Sequence, residues 1–285
     1  STFTNTTATT GSDIYATSGN VTLICNDYDG KARYINITEV YLDTNAKLVT
    51  YIVSGTFAEV QYRIDNTPEN GVLNLENKKY TADENDIEIK VNKNITINGQ
   101  GAILDADNRF RIMTIANGVD VTLNNINFIN GKANDKGGAI CNGNGYLIVE
   151  NCLFKNNKAN IHSGVDISSS GNLTVVNSSF SDSYAVNGGA IFASYNVYII
   201  DSNFTNTSAP GTSDAGGGAI CVHGNSYIKG SSFINTSGGY GGAILIYKSN
   251  GTVIDSKFEN CQATRGGSDI YSNGILTVMI HDYDG

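Results

Sequence analysis

The residues that come nearest to a catalytic constellation in this 285-residue sequence are Asp105, Asp107 and Arg109, in the string LDADNRF. Cleaving a glycosidic bond takes a pair of acids flanking it, or a basic group that abstracts a proton beside metal-held carboxylates. Two acids separated by one residue and followed by Asn also make an ordinary solvated turn, and that turn is the expectation here. A second acidic pattern is Asp-Tyr-Asp-Gly, found at 27–30 and again at 282–285. Asp27 with Asp29, and Asp282 with Asp284, supply oxygen atoms of the kind calcium takes. The pattern is only a fragment of a calcium loop and a frequent turn, so neither a metal nor another cofactor is expected. His162, His223 and His281 stand apart from one another, with surface or loop positions as the default. Cys25, Cys141, Cys152, Cys221 and Cys261 are odd in number and lack both a Cys-x-x-Cys and a metal-binding spacing. They are expected to act as small, partly buried side chains.

Such sparse chemistry raises the question of what scaffold carries it. The chain has 32 Gly, 16 Tyr, 2 Pro and no Trp, with Asn, Ser and Thr well in excess of helix-forming residues. That composition predicts an all-β protein with many turns. A formal charge of -9 argues against nucleic acid, whose phosphates require a basic footprint, and against an anionic membrane surface. No apolar run approaches the ~18 residues that span a bilayer, so direct membrane insertion of this segment is not expected.

The elements that position these residues follow from an internal repeat. Phe128, Phe154, Phe180, Phe204, Phe233 and Phe258 recur with a period of about 25 residues. Two positions after each comes Asn130, Asn156, Asp182, Asn206, Asn235 or Asn260, and Asn5 follows Phe3 in the same way. Five positions before each Phe stands Leu123, Val149, Val175, Ile199, Ile228 or Val253. Gly-Gly-Ala-Ile closes each unit at Ile140, Ile191, Ile220 and Ile244, with degenerate copies ending at Ile167 and Ile270. A unit so short cannot bury its own apolar face, so copies must stack. The fold predicted is all-β: a right-handed parallel β-helix of the pectin-lyase-like type, of about nine coils, over 67–285. In it the Phe and Ile residues form interior columns, and the Asn and Asp residues after each Phe form an amide ladder.

Ala139, Asp166, Ala190, Ala219, Ala243 and Asp269 share one position, and exchange of Ala with Asp suggests that it faces outward. Alternation likewise places Cys141, Ser168, Phe192, Cys221, Leu245 and Tyr271 outward, as a contact strip or a surface covered by a loop. The stretch 31–66 lacks the repeat. Its alternation over 49–53 and 57–64 predicts a hairpin-containing small β module or a cap. Residues 3–30 read much like 258–285, including Gly-Ser-Asp-Ile-Tyr and the final Asp-Tyr-Asp-Gly, at an offset of about 255. The segment 1–30 is therefore expected to be the final coil of a preceding unit, in a tandem array or end-to-end fibre. Asn-x-Ser/Thr sequons at Asn5, Asn20, Asn36, Asn94, Asn172, Asn177, Asn203, Asn206, Asn235 and Asn250 are candidate glycosylation sites.

The alternation of Gly-Gly-Ala-Ile with Phe-x-Asn, as in GGAIFASYNVYIIDSNFTN and GGAICVHGNSYIKGSSFIN, resembles the repeat of polymorphic outer-membrane proteins. It is more similar still to the adhesin-like cell-surface proteins of methanogenic archaea. The resemblance covers about 120–285 together with 1–25, and 31–66 lies outside it. It implies an extracellular, archaeal surface glycoprotein that is not an enzyme and serves attachment or cell–cell contact. Its partners would be further copies of the same unit and glycans or proteins of another cell. The competing expectation is a polysaccharide-active lyase or hydrolase, since many parallel β-helices have that activity. The Asn-Thr-Asp, Asp-Asp, Gly-His-Gly and Arg-Ile-Lys strings of polygalacturonase-like hydrolases do not occur here.

Overall fold

The computed structural model describes residues 14–25, 40–84, 86–159, 164–209 and 216–281, and for 14–25 and 40–53 the backbone alone. From Gly71 onward the chain winds as a parallel β-helix. Each coil has a strand on a valine-rich face, a strand on a phenylalanine face, and a strand on an isoleucine face. In one coil these are Leu147–Glu150, Leu153–Lys155 and Ile167–Ser169. The isoleucine face is an eight-stranded sheet running from Ile89–Val91 to Ile270–Ser272. Eight coils are therefore complete, and Leu276–Met279 begins a ninth on the valine face.

Pairing is parallel and in register: Phe128 aligns with Phe154, Phe154 with Phe180, Phe180 with Phe204, Phe204 with Phe233, and Phe233 with Phe258. The isoleucines align in the same way, Ile140 with Ile167, Ile191 and onward to Ile270. Register fixes ring geometry. Successive phenylalanine centroids lie 4.9, 4.7, 4.7, 5.0 and 5.0 Å apart, with ring planes within 9° of parallel. Phe128 to Phe233 are at most 1% exposed, and Phe258, in the last coil, is partly buried. Below Phe128 the column continues through Leu104 and Tyr80, which lack the Phe-x-Asn signature.

The corners explain the rest of the repeat. Turning from the valine to the phenylalanine face requires a left-handed residue, supplied by Asn125, Asn151, Asn177, Asp201, Gly230 and Asp255. A second left-handed corner follows the phenylalanine strand, at Asn130, Asn156, Asp182, Asn206, Asn235 and Asn260. Asn, Asp and Gly are the residues that reach this region without large strain. The first Gly of Gly-Gly-Ala-Ile is left-handed too at Gly137, Gly188 and Gly241, and at Gly137 (φ 61°) a Cβ would lie 2.2 Å from the Ile140 carbonyl oxygen.

Two expectations are corrected. Ala139, Ala190, Ala219 and Ala243 are fully buried in the main core, as is Asp166, and only Asp269 is exposed. They lie at a corner, where strand alternation does not apply. The stretch 57–64 is not a strand: Phe57–Asn66 is an α-helix. Thr56 caps it by accepting the Glu59 N–H, Glu59 accepts the Gly55 N–H at 2.7 Å, and Phe57, Val60 and Ile64 lie on one buried face. The helix closes the first end of the solenoid, and a bridge from Thr56 to Thr81 joins it to the first coil. Glu59, itself buried, pairs there with Arg63 at 2.6 Å and Lys78 at 3.1 Å. Before it, Val40–Val53 pairs in parallel with Ile14–Cys25, so that part of 31–66 is β but not a hairpin.

Emptying a central ring site should be severe. Phe180→Ala is expected to lower stability by about 3–5 kcal/mol in urea denaturation. Replacing the exposed Tyr195, just beyond the isoleucine strand of the same coil, by Ala should change it by less than ~0.5 kcal/mol.

Candidate functional site

The asparagines after each phenylalanine form a ladder. Asn156 donates its side-chain N–H to Asn130 Oδ1 at 2.7 Å, and Asn130 donates in turn to Asp105 Oδ1 at 2.9 Å. Above, Asn206 donates to Asp182 at 3.2 Å, Asn235 to Asn206 at 3.3 Å and Asn260 to Asn235 at 3.2 Å. An ionised Asp accepts only. Asp182 therefore starts a second run, because it has no donor to offer Asn156. The first corner carries a parallel row, with Asn177 donating to Asn151 at 2.7 Å and Asn151 to Asn124 at 3.2 Å. Asn5, the remaining predicted member, lies outside the described residues.

Between the two amide rows runs a buried hydroxyl column that the spacing of Phe and Asn does not announce. Ser178, Ser202, Ser231 and Ser256 each accept a backbone N–H from the preceding coil, at 3.1–3.3 Å, and each donates to the carbonyl two positions earlier. Cys152 occupies the same column, with its Sγ 3.2 Å from the Glu150 carbonyl oxygen. Cys261 stands in for a hydroxyl at the next corner, where Thr207 and Thr236 each come directly after a ladder asparagine. Cys141, Cys152, Cys221 and Cys261 are free thiols. Burial pushes the Cys152 and Cys221 thiols up to about 12.

Asp105, Asp107 and Arg109 do not converge. Asp105 is buried at the foot of the ladder, paired with Lys79 at 2.7 Å and accepting the Asp107 N–H at 2.9 Å. Burial by itself raises its pKa, but hydrogen bonds from Lys79, Asn130 and Asp107 together hold it below the ordinary carboxylate value. Asp107 is an exposed left-handed turn residue, and Arg109 stands 3.4 Å from it. Arg109 lines a groove of ~270 Å³ with Glu88, Phe110, Arg111 and Lys132. Arg111 is tied there to Glu88 at 2.9 Å, to Asp135, and to the Gly137 carbonyl at 2.9 Å. Among the described residues no three His, Cys, Asp or Glu are grouped to hold a metal ion. Asp27, Asp29, Asp282, Asp284 and His162 fall outside them. His281 contacts Asp255 at 3.0 Å, and His223 packs edge-on to Phe192, with ring centroids 5.1 Å apart. Burial, followed by the Lys248 charge, lowers the His223 pKa.

The expected outward strip is covered through its middle: Ser168, Cys221 and Leu245 are buried, and Cys141, Phe192 and Tyr271 are partly so. Glycine turns lie over it. A Cβ on Gly188 would approach the Cys221 Cβ to 3.2 Å, and one on Gly217 the Leu245 nitrogen to 2.5 Å. Exposed aromatic surface lies instead at Tyr184, Tyr195 and Tyr198. The sequons fall into two groups. Asn177, Asn206 and Asn235 already use the amide nitrogen in a ladder bond, so a glycan there would have to break it. Asn203 and Asn250 are exposed and stand outside the ladder, with Asn94 and Asn172 half-buried. Asn5, Asn20 and Asn36 have no described side chain.

Compared with known proteins, the chain matches no protein family, no curated protein and no solved structure.

The least foreseeable group is Asp166. It is fully buried in the alanine column, where Asn157 donates to Oδ1 at 2.7 Å and the Ser183 hydroxyl to Oδ2 at 2.5 Å. Asn157 is fixed in turn, accepting the Gly131 N–H at 2.7 Å. Burial raises the Asp166 pKa to about 7, against the effect of those two hydrogen bonds.

A folded pKa above the unfolded value of ~3.9 means that unfolding releases a proton between the two. This group's stabilising share is thus complete below about pH 4 and falls as pH rises toward 7, by a few kcal/mol in all. Asp166→Asn should flatten that decline in urea denaturation measured from pH 4 to 8, and an unchanged profile would contradict the assignment. Asp182→Asn supplies the missing ladder donor and is expected to raise stability by about 1 kcal/mol.

Proposed function

We propose that this chain is one unit of a non-catalytic cell-surface adhesin or stalk, extracellular and built from tandem copies with the period that separates 3–30 from 258–285. The observation that carries the proposal is the unbroken phenylalanine stack from Phe128 to Phe258, with near-parallel rings at every step. A solenoid contacts only its neighbours along one axis, so added coils convert chain length directly into reach. At about 4.8 Å per coil, eight coils give a rod of roughly 40 Å. Asp105 supports the same role, because the carboxylate nearest to a catalytic constellation is engaged as the acceptor at the ladder's foot. The repeat's similarity to archaeal adhesin-like proteins points the same way.

The groove beside Arg109 and Arg111 favours the second proposal, a polysaccharide-active lyase or hydrolase. Incubation with acidic and neutral polysaccharides, followed by assay for unsaturated or reducing ends, separates the two. No product is expected, and binding on a glycan array should be unchanged in the variant carrying Asp105→Asn, Asp107→Asn and Arg109→Gln. Cleavage by the parent chain that this variant loses would establish the enzyme and remove the adhesin.

A further inference from the structure

The two ends of the solenoid are unlike. At the first, the Phe57–Asn66 helix buries Phe57, Val60 and Ile64 against the coils. At the other, Lys257–Glu259, Ile270–Ser272 and Leu276–Met279 each end their sheet, with one edge unpaired among the described residues. Positions buried in every complete coil below are open there. Val278 is 55% exposed, whereas Val253, its register partner, is 1% exposed. Ile275 and Ile280 extend the apolar surface.

The chain contains the sequence of this open edge a second time, there as one continuous strand, Ile14–Cys25, in a two-stranded sheet. Residues 14–25, IYATSGNVTLIC, match 270–280, IYSNGILTVMI, with one extra residue in the first copy. Ile14 corresponds to Ile270, and Val21-Thr22 to Leu276-Thr277. On that twin lies the strand Val40–Val53, parallel, with Ile14 opposite Val40, Val21 opposite Leu48 and Thr22 opposite Thr50. Register shifts fall between Ala16 and Ser18 and between Val21 and Thr22, with the additional residue each time in Val40–Val53. The strand then leads through Thr56 into the capping helix. Thus a strand of this sequence is followed, within one chain, by a second strand on its edge and then by the helix that starts the solenoid.

We infer that the open coil Lys257–Met279 is a docking surface for the Val40–Asn66 segment of a second copy, repeating the junction seen between Ile14–Cys25 and Val40–Val53. The occupant is a parallel strand because an exposed strand edge recruits a partner by backbone hydrogen bonding, and the twin strand specifies its register. The helix of the second copy would follow, as it does here, so each junction forms from one coil, one strand and one helix. The junction presupposes the tandem stalk proposed above and adds its contact surfaces.

A chain in which 1–285 is followed directly by a second 31–285 tests this against the single chain. Hydrogen exchange at 276–279 should slow by ~100-fold or more in the tandem chain, because edge amides gain partners. Adjacent strands place paired Cα atoms about 4.8 Å apart, within disulfide range. A tandem carrying Thr277→Cys in the first copy and Thr50→Cys in the second should therefore form that cross-link on oxidation, mapped by mass spectrometry. Fast exchange at 276–279 without the cross-link would overturn the junction, provided that 220–222 stays protected and so reports a folded solenoid. Scattering separates the two ideas: an extended tandem with unprotected 276–279 keeps the stalk and loses this junction. A protected 276–279 in a protein that images of the native assembly place nowhere on a cell surface keeps the junction and loses the stalk.

Discussion

Parallel strands in register hold each residue about 4.8 Å from its counterpart in the next coil, and every side-chain choice in the solenoid answers to that distance. A column must be filled by groups that tolerate a copy of themselves directly above and below. Benzene rings do so when laid nearly flat with an offset, which is the arrangement from Phe128 to Phe258. Primary amides do so because each carries a donor and an acceptor, so Asn260, Asn235 and Asn206 can link in a line. Serine does so by joining its hydroxyl to backbone groups of two coils at once, as Ser202 does with the Ile200 carbonyl and the Ser178 N–H.

Carboxylates meet the same distance differently. With acceptors only, an Asp can end an amide run but cannot pass it on. Asp105 is placed well for this, at the foot of the ladder with Lys79 beside it, whereas Asp182 interrupts a run in mid-solenoid. For Asp166 two hydrogen bonds do not offset full burial, which raises its pKa to about 7. The molecule therefore contains carboxyl groups shifted in opposite directions, Asp166 upward by burial and Asp105 downward by hydrogen bonds from Lys79, Asn130 and Asp107 that outweigh its burial.

This distance also governs what is legible in the sequence. The phenylalanine and isoleucine columns and the amide ladder are readable because register repeats a residue type at a fixed place in each coil. The coils before Phe128 are harder, since Tyr80 and Leu104 fill the same column with other side chains. Cys152 and Cys261 become intelligible only when aligned against serine and threonine, as stand-ins for a hydroxyl. The Phe57–Asn66 helix is easily misread because Val60, Tyr62 and Ile64 alternate as in a strand while Phe57, Val60 and Ile64 have helical spacing, and the deciding signal is Thr56 with Glu59. The burial of Asp166 is hidden because exchange of Ala with Asp is ordinarily a mark of the surface.

The corners divide the coil into a fixed part and a free part. The path from a column isoleucine to the next phenylalanine hardly varies in length, whether from Ile140 to Phe154, Ile167 to Phe180, Ile191 to Phe204, Ile220 to Phe233 or Ile244 to Phe258. The return from phenylalanine to isoleucine varies far more. It is shortest from Phe180 to Ile191 and from Phe233 to Ile244, and longest from Phe204 to Ile220. A left-handed corner and the stacked columns lock the first path, while the second, once past its own left-handed corner, only has to return to a glycine turn. Insertions and deletions can therefore collect along a single edge of the rod without disturbing its core. Diversification of such a protein would run down that edge, leaving the other faces as a constant ruler against which new loops are set.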